Sequence, residues 1–150
     1  MTPLTIGKLA RASEVKIDTI RYYERQGLVS PEARTESGYR LYGLESLRRV
    51  KFIRKAQGLG FSLTEIAQLL RFGVDQDATK ADVLGLTEQK IEAHRVNMRE
   101  LEDLQHTLVQ VAEQCAGDAS PASDCPILEF LYPDEADLTT AMQSGKDTGE

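Results

Sequence analysis

The chain has 150 residues, 41% of them hydrophobic, with two Cys and no Trp, a size that supports one domain or a small domain with an extension. Its formal charge of −6 argues against a uniformly basic nucleic-acid binder, but residues 1–72 hold 13 Lys and Arg against 7 Asp and Glu, net +6, while residues 73–150 net −12. That split, with no apolar run of membrane-spanning length and no signal peptide expected, predicts a soluble cytoplasmic protein with no membrane partner. A basic nucleic-acid module is joined to an acidic module with another task.

The first predicted element is a short helix capped by Thr5, with Ile6, Leu9 and Ala10 on one face. Ser13-Glu14-Val15 forms a turn into a second short helix that ends at Gly27, on which Ile17, Ile20 and Tyr23 recur at helical spacing. Together they make a helix-turn-helix over about 7–26, whose second member can enter a major groove. Arg21 and Tyr22 fall on its outer side, where Arg can read a guanine edge or a phosphate and a Tyr hydroxyl can anchor phosphate. After Pro31, Thr35 to Gly38 makes a turn and Tyr39-Arg40-Leu41-Tyr42 alternates, so a hairpin wing is predicted over about 33–43. An Arg-rich amphipathic helix from Leu44 to Ala56 stops at Gly58 and Gly60. Ser62 with Glu65 three residues on is a capping box for a fourth helix, with Ile66, Leu69 and Leu70 inward. These helices close a winged helix-turn-helix domain over residues 1–73.

A polar link leads to a proline-free stretch at 79–114 in which Leu84, Ile91 and Met98 repeat at seven, as do Leu101 and Leu108. A helix of this length, ~50 Å at 1.5 Å per residue, cannot bury that stripe on so small a body. The simplest partner is its own copy, so a homodimer is predicted. His94 and His106 lie inside this helix and read as packed or surface side chains. Residues 115–131 carry Cys115, a loop of small and turn-forming residues, Cys125, and a short apolar helix opened by Pro126. The acidic, polar segment 132–150 is predicted to be disordered.

Two cysteines in a cytosolic chain favour a metal or redox site over a structural disulfide. Thiolates prefer soft cations, and a pair suits linear coordination of Cu(I), Ag(I), Au(I) or Hg(II). Tetrahedral Zn(II) needs two more donors, from Asp118, Asp124 or a residue across the dimer. A thiol–disulfide redox switch, or a metal-free architectural DNA-binding protein, is the rival reading. No nucleophile–base constellation or Gly-rich phosphate loop supports an enzyme.

The order of Thr19-Ile20-Arg21-Tyr22-Tyr23-Glu24, Gly27-Leu28-Val29, Gly38-Tyr39-Arg40-Leu41-Tyr42, an Arg-rich helix ending in Gly60-Phe61, a long helix and a terminal Cys-loop-Cys resembles the MerR family of bacterial transcription regulators, over about residues 4–131. It resembles in particular their copper-responsive and zinc-responsive members. The resemblance implies a mainly α fold: the winged helix-turn-helix domain, a long antiparallel coiled-coil dimerisation helix, and a C-terminal metal-binding loop. It also implies activation of efflux or detoxification genes by distortion of promoter DNA for RNA polymerase. Carried onto this sequence, DNA contacts fall to Thr19, Arg21, Tyr22, Arg34, Tyr39 and Arg40, with Arg54 and Lys55 adding phosphate contacts. Asp18 departs from the basic or polar residue of several relatives. Cys115 and Cys125 become the metal ligands. The antiparallel pairing would bring Lys80 to the partner's Cys115, where divalent-metal sensors carry a third cysteine and copper sensors a serine. An ammonium donates no lone pair to metal but balances charge. Two thiolates with a monovalent ion carry −1, which Lys80 offsets, so Cu(I) is favoured. The Cys-to-Cys spacing, by contrast, is the longer one of zinc-type relatives, which keeps Zn(II) or another divalent ion as the alternative.

Overall fold

The computed structural model describes residues 2–145 and divides into two units, Met1–Glu92 and Ala93–Glu150. The first unit opens with strand β1 (Leu4–Thr5), helix α1 (Ile6–Ser13) and helix α2 (Ile17–Arg25). Thr5 caps α1, its Oγ1 accepting from the Lys8 amide at 3.4 Å. Between the two helices Glu14 adopts a left-handed conformation with φ of 58°. Its amide and that of Val15 donate to α1 carbonyls, which closes the turn.

Strands β2 (Ala33–Arg34) and β3 (Arg40–Tyr42) form the wing, and β3 also pairs antiparallel with β1, in the order β1-β3-β2. Leu4 faces Tyr42, and Arg34 faces Arg40. The wing is therefore stitched to the chain's start, a pairing that two residues of β1 are too few to signal by alternation. At its tip Gly38 takes a φ of 87°, which favours glycine.

Helices α3 (Leu44–Gly58) and α4 (Leu63–Phe72) complete the module. Leu9, Ile20, Tyr23, Val29, Tyr42, Val50, Ile53 and Ile66 are buried in one cluster, so both helices of the helix-turn-helix rest on the same core as the wing. The Ser62–Glu65 capping box forms in both directions. The Glu65 amide donates to Ser62 Oγ at 3.2 Å, and Glu65 Oε1 accepts from the Ser62 amide at 2.8 Å.

Helix α5 (Lys80–Glu113) begins at a cap formed by Thr79 with Asp82, whose Oδ2 accepts from the Thr79 amide at 2.7 Å. Along it Leu84, Ile91, Met98, Leu101, Leu104 and Leu108 are exposed, at up to 65% for Leu108. Among the described residues no helix is long and apolar enough to cross a membrane.

The second unit carries the loop after α5, a 3₁₀ turn (Ala122–Asp124), helix α6 (Pro126–Leu131) and helix α7 (Glu135–Ser144). α7 corrects the expectation of disorder from 132 onward. Asp134 caps it by accepting from the Asp137 amide at 2.8 Å. Its first turn is acidic, which suits the positive end of the helix dipole. The part of that expectation covering 146–150 lies outside the described residues.

Candidate functional site

The basic face of the first unit is assembled from α2 and the wing. Arg21, Arg34, Tyr39 and Arg40, with Thr5, Ile6 and Gly38, line one surface concavity of about 280 Å³. Tyr39 is 73% exposed. Arg34 Nη1 donates to the Gly38 carbonyl at 3.4 Å, which steadies the hairpin tip. On α2, Tyr22 is half exposed beside the Arg25 guanidinium, 5.7 Å from its ring centroid, and Thr19 is half-buried. Asp18 accepts an ion pair from Arg21 at 3.5 Å across one helical turn. Three guanidiniums around a shallow hollow are suited to phosphate, because each offers planar, permanently charged donors.

A carboxylate ties the two halves of this face. Glu24, in the second half of α2, accepts from the buried Tyr42 hydroxyl with one oxygen and pairs with Arg40 Nε at 3.4 Å with the other. Tyr42 is held protonated above the usual phenol range, first by burial and then by Glu24. Glu24 thus fixes the wing against the helix that would lie in the groove. α2 carries two carboxylates, Asp18 and Glu24, against Arg21 and Arg25, so helix charge alone does not single out Glu24 for this role. Glu24→Ala leaves the Tyr42 hydroxyl buried without its acceptor and is expected to lower stability by about 1–3 kcal/mol, read from the urea midpoint.

Arg54, expected to meet phosphate, is turned instead toward the helix-turn-helix. Its Nη1 donates to the carbonyls of Ser13 at 3.1 Å and Glu14 at 2.9 Å. The reason is the open C-terminal end of α1, whose last carbonyls have no intrahelical donors. Lys55, the next residue on α3, is exposed.

In the second unit, the sulfurs of Cys115 and Cys125 face each other at 3.8 Å, both half-buried and neither in a disulfide. They line a concavity of about 490 Å³ together with Gly117, Asp118 and Asp124. Gly117, with φ of 66°, turns the chain back after α5. Cys125 sits at the N-cap of α6, and its thiol is lowered from the ordinary thiol range, first by the Ile127 and Leu128 amides and less by the Cys115 thiol. Asp118 is engaged within the loop, accepting from the Ser120 amide at 2.9 Å. Among the described residues no group of three or more His, Cys, Asp and Glu is gathered for a metal ion. The donor set that one chain presents is therefore two sulfurs, one of them acidified, and this fits a thiophilic ion. Lys80 is exposed on the first turn of α5, and His94 and His106 are exposed along it.

A profile described as MerR HTH family regulatory protein matches residues 4–72, and one described as MerR, DNA binding matches residues 47–111. The HTH-type transcriptional regulator ZntR of Escherichia coli is 41% identical over 127 residues, covering 84% of this chain and 90% of that protein. The chain belongs to the MerR family. It is thus a DNA-binding transcription regulator and not an enzyme. Two solved MerR-family structures resemble it over most of its length. One is a transcription regulator from Ralstonia metallidurans in complex with lead(II), with a TM-score of 0.73 and 32% identity over 86% of this chain and 99% of that one. The other is MerR from Bacillus megaterium in complex with mercury(II), with a TM-score of 0.64 and 34% identity over 85% and 98%. The family-like motifs had pointed to the DNA face and the Cys pair. They contain Glu24 and Tyr42 without revealing that the two side chains meet, and they do not reveal the contact between Glu65 and Lys90 taken up below.

Proposed function

We propose that this protein is a homodimeric, metal-responsive regulator of metal efflux or detoxification genes, with Cys115 and Cys125 as the sensor. The observation that carries the reading is the pair of sulfurs poised 3.8 Å apart in the loop that directly follows α5. When bound, a soft ion supplies two strong bonds to sulfur. Cys115 and Cys125 hold it. Ordering of their loop would dock the Ile127–Leu131 segment and bias the DNA-binding module between two states. Thr19, Arg21, Tyr22, Arg34, Tyr39 and Arg40 are assigned to promoter DNA, and Lys55 to its backbone. The promoter is distorted so that RNA polymerase can use it. The exposed leucine stripe of α5 supports pairing with a second copy, since a contiguous apolar stripe on a helix calls for a partner.

For the ion we favour Cu(I), Ag(I) or Au(I), because Lys80 from the partner would offset the −1 charge of two thiolates with a monovalent ion. The lead(II) and mercury(II) complexes of the two solved relatives favour a divalent ion instead. Competition titration of the purified protein with Cu(I) against Zn(II), Pb(II) and Hg(II) decides between them. Cu(I) is expected to bind tightest, and equal or tighter divalent binding selects the second reading. Promoter output that ignores every soft metal and responds to oxidant rejects both.

A further inference from the structure

Helix α5 leaves the DNA-binding module and leads along the chain to Cys115, so its attachment to the module matters for any signal starting at the sulfurs. Leu86, buried, and Lys90, one turn further on, share the face of α5 that meets the module. Lys90 Nζ lies 2.8 Å from Glu65 Oε1, with the two side chains only 17% and 24% exposed. The same ammonium stands 5.8 Å from the centroid of the Phe61 ring, which packs against the module's core. Glu65 Oε1 is also the atom that accepts from the Ser62 amide in the α4 capping box. The carboxylate therefore cannot follow a moving Lys90 without opening the start of α4, whose next residue, Ile66, is fully buried. One side of this contact is rigid, and the other is a flexible four-carbon stem.

We propose that the Lys90–Glu65 pair, seated over Phe61, is the joint that transmits a change in α5 to the DNA-binding module, with Lys90 as its positioning residue. Charge-assisted hydrogen bonds between partly covered groups are stronger than exposed ion pairs, which contribute little. The Lys90 ammonium first, and then the Ser62 amide, hold the Glu65 carboxyl down at about 2. The joint contains neither of the two sulfurs. It sets how much of the change at the sulfurs reaches α4 and, through the core, α2. The inference rests on the sensing role proposed above for its functional readout, but the contact itself does not.

The test uses the full chain with Lys90→Met, which keeps the stem over Phe61 and removes the charge, and Lys90→Arg, which keeps the charge. Promoter output is measured with Cu(I), Zn(II), Pb(II) and Hg(II), each alone, beside metal affinity and amide hydrogen exchange. Lys90→Met is expected to cut the induced-to-basal ratio by at least about threefold, a typical size for a change along a coupling element, while metal affinity shifts by no more than about that factor, the limit that reciprocal coupling sets. Lys90→Arg is expected to retain the ratio. Amides over residues 84–92 should exchange faster in Lys90→Met, with protection in α1 to α3 unchanged. An undiminished ratio in Lys90→Met overturns the proposal, and so does an equal loss in Lys90→Arg. If the parent protein's output ignores every soft metal, Pb(II) and Hg(II) included, the sensing reading fails separately and exchange decides the joint: unchanged protection at 84–92 then overturns it.

Discussion

Cys115→Ser is expected to abolish the response of promoter output to soft metals while leaving operator affinity within about twofold of the parent protein. A serine hydroxyl is a hard, protonated donor, whereas the thiolate is the species that binds soft cations. Replacing residues that merely support a metal ligand costs 10–100-fold in affinity, so removing one of two ligands is expected to cost at least about 100-fold. Operator affinity should survive, because the core beneath the basic face contains no residue of the Cys115–Cys125 loop. The measurement pairs a reporter assay with operator titration at fixed salt, since affinities for DNA carry little meaning without the salt concentration. A full response in Cys115→Ser would remove the sulfur pair from the mechanism. Adding Lys80→Cys extends the test, because a third thiolate at that position is expected to move preference toward divalent ions.

Much of this architecture is legible in the residues themselves. The Thr5 cap, the Ser62–Glu65 box and the Pro126 helix start are local signals, set within four residues, and each forms as its chemistry dictates. The Cys pair is legible for a different reason: the intervening small and turn-forming residues allow a ten-residue excursion to return on itself, and the sulfurs meet at 3.8 Å. Contacts between segments distant in sequence are not legible this way. Glu24 reaches Tyr42 across 18 residues, and Lys90 reaches Glu65 across 25; neither leaves a periodic trace. The α7 helix shows the opposite error. Its composition reads as solvated, yet Asp134 at the N-cap and acidic residues in the first turn are helix-starting signals that composition alone averages away.

Arg54 shows how a basic residue beside a DNA-binding face can be assigned by charge and placed by hydrogen bonding. Arg54→Met is expected to lower stability by about 1–3 kcal/mol, the cost of leaving acceptors without their donor, because the Ser13 and Glu14 carbonyls both lose the Nη1 group. Ser13 is only 2% exposed, so water cannot readily replace the lost donor there. The Glu14 carbonyl belongs to the left-handed residue that sets the angle between α1 and α2, so loosening it also lets α2 shift against its target. Operator affinity should then fall while the slope of log affinity against log salt stays unchanged. A phosphate contact predicts the other pattern, with the slope reduced by about one. Arg54→Lys separates the two further. It keeps the charge that a phosphate needs but not the planar fork, and it is expected to restore little of the stability lost in Arg54→Met. Full recovery of affinity and salt slope in the lysine variant would return Arg54 to the phosphate backbone and leave the turn to be held by the Glu14 and Val15 amides.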